Sequence, residues 1–207
     1  MSRLARVIVA ASTALVIVAV AIVPFLTPVW LGFAQDRAEA TAWTGWPAAN
    51  VRAATAALVG DLFFGQGDFD AVIDGEPVLS ERERAHMRDV RSVFRAFYVV
   101  ALVGAVVLFV GLRGARMSAG WHAVRAGAFG LAAGLLAAGV VVAVAFDAAF
   151  AVFHGLFFSA GSWTFDPRTD RLVQLFPERF WVETTIGVGA IGFALALGVA
   201  RLAGRRS

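Results

Sequence analysis

Charged positions in this 207-residue chain are confined to short stretches separating four runs that lack Asp, Glu, Lys and Arg: 7–35, 96–112, 126–146 and 184–200. Each run is long enough to cross a hydrocarbon core of about 30 Å, for which a helix needs roughly 17–25 apolar residues. The pattern predicts an all-α integral membrane protein with four transmembrane helices over 7–30, 95–112, 126–147 and 182–202. A small extracytoplasmic cap between helices 1 and 2 (32–93) and a short outer loop between helices 3 and 4 (150–181) complete a single membrane domain over 1–207. Arg3 and Arg6 precede the first run, which is longer than the 7–15-residue apolar core of a signal peptide. It is therefore expected to be a retained signal anchor.

Finer periodicities subdivide the first outer segment. Val51, Ala54, Leu58 and Leu62 recur at helical spacing and predict an amphipathic helix over 50–63. Trp43 and Trp46 suit a membrane interface. The Gly- and Asp-rich stretch 63–77 predicts turns with a short extended pair. Ser80 and Glu83 have the spacing of a capping box, and an unbroken helical pattern then runs from Glu81 to Leu112. The glycines of the later spans, including Gly127, Gly130, Gly134, Gly139, Gly187, Gly189 and Gly192, predict tight helix packing within the bundle.

Composition agrees with the pattern, since 59% of residues are hydrophobic and 16% charged, against about 25% charged in soluble domains. Cysteine is absent, which excludes disulfides, thiolate nucleophiles and Cys-based metal sites. Every basic side chain is arginine, and the arginines form no single patch for nucleic acid. Arg3 and Arg6, then Arg113, Arg116 and Arg125, then Arg201, Arg205 and Arg206 stand in three places that contain no acid. By the positive-inside rule both termini and the 113–125 loop are cytoplasmic. His86 and His154 then lie together on the outer side, whereas His122 belongs to a solvated cytoplasmic loop. Span interiors carry almost no ionisable group, which argues against an ion or proton pathway.

Chemistry is thus expected at the outer surface. An imidazole exchanges protons near neutral pH, so His86 and His154 suit base and acid roles in acyl transfer. Asp147 precedes His154 by two helical turns and is placed to orient its ring. A metal site completed by Asp89 or Asp147 is the alternative, although no HxxxH spacing supports it. Ser80, Ser159 and Ser162 lack a GxSxG frame. The aromatic residues of 151–181, namely Phe153, Phe157, Phe158, Trp163, Phe165, Phe176, Phe180 and Trp181, read most simply as an interfacial belt.

The segments SERERAHMRDV (80–90) and FHGLFFSAGSWTFDPRTDRLVQLFPERFW (153–181) resemble the two motifs of a bacterial integral membrane family, the lipoprotein intramolecular transacylases. The resemblance extends to the four-span layout. It implies an enzyme of the bacterial cytoplasmic membrane acting on the diacylglyceryl-modified N-terminal cysteine of a lipoprotein. The sn-2 acyl chain would move to the cysteine α-amino group and give a lyso-form lipoprotein. It also implies that the catalytic histidines are His86 and His154. His86 is assigned as base and His154 as general acid or oxyanion partner, with the reverse assignment left open. Asp89, Trp163, Asp166 and Asp170 fall in motif positions and are expected to shape the site. No metal or other cofactor is implied; the partners are the lipoprotein substrate and membrane lipids. Another outer-leaflet acyl hydrolase or transferase, or a non-enzymatic membrane scaffold, remains as an alternative.

Overall fold

A computed structural model describes residues 1–113 and 117–206; Arg116, one of the arginines of the second basic cluster, lies outside the described residues. The chain consists of helices α1 (Arg3–Ile22), α2 (Pro28–Arg37), α3 (Ala40–Thr44), α4 (Ala48–Phe63), α5 (Glu81–Gly111), α6 (Met117–Phe157), α7 (Arg171–Leu175) and α8 (Glu178–Gly204). A two-stranded ribbon, β1 (Val72–Ile73) and β2 (Glu76–Pro77), lies between α4 and α5. Four helical stretches are long and apolar enough to span a membrane: Arg3–Leu26, Glu81–Gly111, Met117–Phe157 and Glu178–Gly204. The protein is a multi-pass membrane protein.

Where the helices begin and end departs from the hydropathy pattern in two places. The first charge-free run does not form one span over 7–30. α1 gives way to a 3₁₀ turn, Val23–Leu26, and Thr27 caps a new helix that has Pro28 at its first position. Proline disfavours helical backbone in the residue before it and is itself suited to a first helical turn, so Pro24 and Pro28 divide the run. α6 is longer than the predicted 126–147. It starts at Met117, so His122 is an exposed helical residue rather than part of a loop, with its Nδ1 3.0 Å from the Ser118 carbonyl oxygen. It ends at Phe157, interrupted by a non-helical Ala145 (φ −152°, ψ 52°), so His154 stands in its last turn.

The chain divides into two compact units. The first contains Met1–Val23, Ala96–Val144 and Ile186–Ser207. Its buried residues are small: Ile17 packs with Ala128, Ala132, Ala196 and Ala200, and Val9 with Ala123, Val124 and Ala203. Gly127 is where two backbones come closest, since a Cβ there would run into the main chain of Ala10. The polar Thr13 is accommodated by donating to the Val9 carbonyl at 2.8 Å. Gly192 also packs closely, against the side chains of Leu135 and Ala21, but packing does not account for every predicted glycine in the same way. Gly130, Gly134, Gly139 and Gly189 have no neighbour a Cβ would meet, so the GxxxG of α6 is not buried in this bundle.

The second unit contains Pro24–Arg95 and Ala145–Thr185. The predicted face of α4, Val51, Ala54, Leu58 and Leu62, is buried against Phe69, Val78, Leu79, Met87, Leu172 and Leu175. Burial of a side chain such as Leu58 is worth about 1.5–3 kcal/mol. Some polar groups under this core are paired, although Gln35 Oε1 and Arg91 Nε and Nη1 are buried without a hydrogen-bond partner among the described residues. Gln35 donates to Thr55 Oγ1 (2.8 Å) and to the Leu175 carbonyl (2.9 Å). The expected extended pair is the ribbon, Val72 opposite Pro77 and Ile73 opposite Glu76. Asp74 and Gly75 turn it with positive φ at both positions, the conformation that tight hairpins favour. Trp46 packs on the core under Arg171, whose guanidinium lies 4.6 Å from the indole centroid.

Candidate active site

The capping box at the head of α5 forms as its spacing predicts. Glu83 Oε2 accepts from the Ser80 amide at 2.7 Å, and the Glu83 amide donates to Ser80 Oγ at 3.4 Å. The other carboxylate oxygen, Oε1, accepts from the Leu172 amide of α7 at 2.6 Å. Glu83 is 2% exposed and ties the first turn of α5 to α7, inside the second motif. His86 projects from the next turn of this anchored helix.

Inside the second unit the rings of His86 and His154 lie 6.2 Å apart, 24° from parallel. Aromatic rings surround them. Phe158 and Phe165 meet His86 edge-on at 4.8 and 5.4 Å. Phe150, Trp163 and Phe158 lie 3.9, 5.0 and 5.5 Å from His154. Several residues that the sequence assigns to an interfacial belt thus wall the histidine pair.

His86 is 6% exposed, and its Nδ1 has no hydrogen-bond partner among the described residues. It lies on α5 before Asp89, Arg91 and Arg95, and hence outside the charge-free span that begins at residue 96. Burial pushes its pKa from 6.5 down to about 4; the neighbouring His154 acts in the same direction, and Asp89 opposes both. His154, beyond Asp147 and the third charge-free run, is also lowered by burial, which a hydrogen bond with the Phe150 backbone partly offsets. Both rings are neutral at pH 7.

The tautomer of neutral His154 follows from its partner. Its Nδ1 lies 2.8 Å from the Phe150 carbonyl oxygen, which can only accept, so Nδ1 carries the proton and Nε2 a free lone pair. Asp147 does not orient this ring as the spacing predicted. Its carboxylate is exposed and makes no hydrogen bond or ion pair among the described residues, and the main chain one turn back takes that role.

Asp166 and Asp170 act at one remove. Asp170 Oδ2 accepts from the Asp166 amide (2.7 Å) and from Arg82 Nη2 (2.8 Å). Arg82 Nη1 also donates to the Thr164 carbonyl at 2.9 Å, and its guanidinium lies 4.6 Å from the Phe165 ring centroid. These bonds pin the loop that carries Trp163 and Phe165. Hydrogen bonds from Arg168 hold the Asp166 carboxyl down at about 2. Asp89 is exposed on α5, three residues after His86, and Trp163 contributes its ring to the shell while its Nε1 is buried without a partner. Ser80 Oγ donates to Glu83 and Ser162 Oγ to the Ser159 carbonyl. No three His, Asp or Glu side chains gather as a metal site among the described residues.

Phe150 and Arg82 escaped sequence reasoning. Phe150 stands four residues before His154, a spacing that signals a shared helical face; a carbonyl partner leaves no mark on the sequence.

The family model of the lipoprotein intramolecular transacylase Lit matches residues 7–181. An uncharacterised protein of Aquifex aeolicus is 26% identical over 124 residues, 60% of this chain, and the match spans only 56% of that relative's length. The solved structure of the membrane-integral lipoprotein intramolecular transacylase Lit from Bacillus cereus superposes with a TM-score of 0.82 at 21% identity, over 97% of this chain and 93% of the other. A structure of that protein with a histidine-to-alanine substitution gives 0.70 at 21% identity, over 99% and 92%. At this identity the likeness is one of fold.

Proposed function

Because the chain belongs to the lipoprotein intramolecular transacylase family, we propose that it moves the sn-2 acyl chain of a diacylglyceryl-modified lipoprotein to the α-amino group of the N-terminal cysteine. The observation that carries this reading is the close pairing of His86 and His154 in an apolar shell, with a lone pair free on His154 Nε2.

The α-amine, with an ordinary pKa of about 7.7–8.0, attacks the ester carbonyl in its neutral form. Carbon–nitrogen bond formation makes the amine nitrogen cationic and strongly acidic, so a weak base suffices to remove its proton. His154 Nε2 takes that proton. The resulting imidazolium returns it to the sn-2 glyceryl oxygen as the carbon–oxygen bond breaks. An N–C bond forms, an ester C–O bond breaks and one proton moves from nitrogen to oxygen, so no water or co-reactant is consumed. The Nδ1 proton supports His154 as the base, the assignment that the resemblance left open beside His86. His86 stands beside it as the polar partner of the reacting ester. Donor and acceptor belong to one substrate, so holding them in register supplies much of the rate.

The active site is on the outer face of a bacterial cytoplasmic membrane, with both termini cytoplasmic. The acid-free arginine clusters support that orientation.

Mass spectrometry of the N-terminal peptide of a reporter lipoprotein, from cells with and without the protein, tests the reading. N-acyl-S-monoacylglyceryl cysteine is expected with the wild type and is lost with His86→Ala or His154→Ala. A diacylglyceryl peptide with a free amine, in cells that express the protein well, overturns it.

A further inference from the structure

A tryptophan N–H is a donor only, and when buried it normally has an acceptor. Nε1 of Trp163 is buried and has none among the described residues. The indole is not loosely held. Its ring lies 5.0 Å from that of His154, tilted by 36°. The next residue, Thr164, has its carbonyl bonded to Arg82, which Asp170 holds in turn. A donor has therefore been fixed beside the base without a protein acceptor to satisfy it.

Resting on the acyl transfer proposed above, we infer that Trp163 is a catalytic residue whose indole N–H donates a hydrogen bond to the ester carbonyl oxygen as it becomes the tetrahedral oxyanion. During the transfer this oxygen gains a negative charge when nitrogen adds to the carbonyl carbon and loses it when the glyceryl oxygen departs. A donor already in place and shielded from water stabilises that charge without reorganising. The base and the donor sit side by side, as an attack on one carbonyl requires: the proton leaves nitrogen towards His154 while charge builds on oxygen towards Trp163.

The test is single-turnover and steady-state kinetics of the purified full chain, in detergent or bilayers, on a synthetic diacylglyceryl lipopeptide. Trp163→Phe keeps a ring against His154 and removes the N–H. It is expected to lower kcat about 100-fold with KM little changed, the pattern of a bond made only in the transition state. Trp163→His returns a ring N–H and is expected to recover at least about tenfold of that loss. Thermal unfolding of both variants is followed alongside, and a midpoint close to wild type assigns the loss to chemistry. A Phe variant with kcat within about threefold of wild type, or one that raises KM alone, overturns the inference and leaves the transacylase reading intact. Failure of the wild type to form the N-acyl product overturns both.

Discussion

The carboxylate of Glu83 holds the Leu172 amide at 2.6 Å with one oxygen while the other closes the capping box of α5 on Ser80. One buried side chain thus anchors the helix that carries His86 to the segment that follows the loop carrying Trp163.

Glu83→Ala removes a cap, generally worth about 0.5–2 kcal/mol, and a charged hydrogen bond of about 1.5–3 kcal/mol. The Leu172 N–H is also left without its acceptor. A loss of about 2–4 kcal/mol is expected, read as a lower unfolding midpoint in detergent, with Glu83→Gln recovering part of it.

Much of this arrangement could be read from the sequence, because capping boxes and amphipathic faces are local patterns. Ser80, Glu83 and the buried face of α4 were legible in that way, whereas the two histidines were singled out by the distribution of arginines and by the motif resemblance. The second bond of Glu83 was not, because nothing in the spacing of two distant segments says which amide a carboxylate will meet. The clamp of Arg82 on Asp170 was hidden for the same reason. Hydropathy also could not tell a span from a span followed by a turn. Pro24 and Pro28 carried that signal, and an apolar run masked it. The break at Ala145 has no counterpart in residue type at all.

Acidification is expected to weaken the second unit through His86. The unfolded ring takes a proton below its ordinary 6.5, whereas the folded ring resists until about 4. Stability is therefore unaffected above pH 6.5, falls as the pH drops from 6.5 to about 4, and levels off below. Unfolding midpoints across this window, compared with those of His86→Gln, measure the effect.

The rate should respond to pH through the substrate. With both imidazoles neutral at pH 7, kcat/KM is expected to rise towards the amine pKa of about 8 without a separate inflection at 6.5. A titration of lipopeptide turnover from pH 5 to 9 checks this, and an inflection at 6.5 would show a histidine titrating at its ordinary value.

The clamp on the Trp163 loop predicts a graded loss. Arg82→Met keeps the apolar contact with Phe165 but loses the bonds to Thr164 and Asp170. Asp170→Asn weakens the same clamp from the other side. Both are expected to reduce turnover about tenfold while the unfolding midpoint changes little, since exposed ion pairs contribute about 0–1 kcal/mol.

Glycines of α6 should divide by position. Gly127→Ala drives a methyl into the Ala10 backbone and is expected to lower the unfolding midpoint and the yield of folded protein. Gly134→Ala meets nothing and replaces the weaker helix former, so it is expected to be neutral or slightly stabilising. Thermal unfolding of the two variants side by side makes the comparison.

The bond between His154 and the carbonyl of Phe150 has an evolutionary consequence. In many histidine bases a carboxylate sets the ring tautomer, and a single substitution of that acid disables the enzyme. Here the orienting atom is part of the peptide backbone, which every amino acid at position 150 supplies. The basic nitrogen can therefore survive wide drift in the surrounding side chains, provided that the last turns of α6 remain helical. A proline placed in that turn would do what no change of side-chain charge could: remove the proton's fixed address and with it the base.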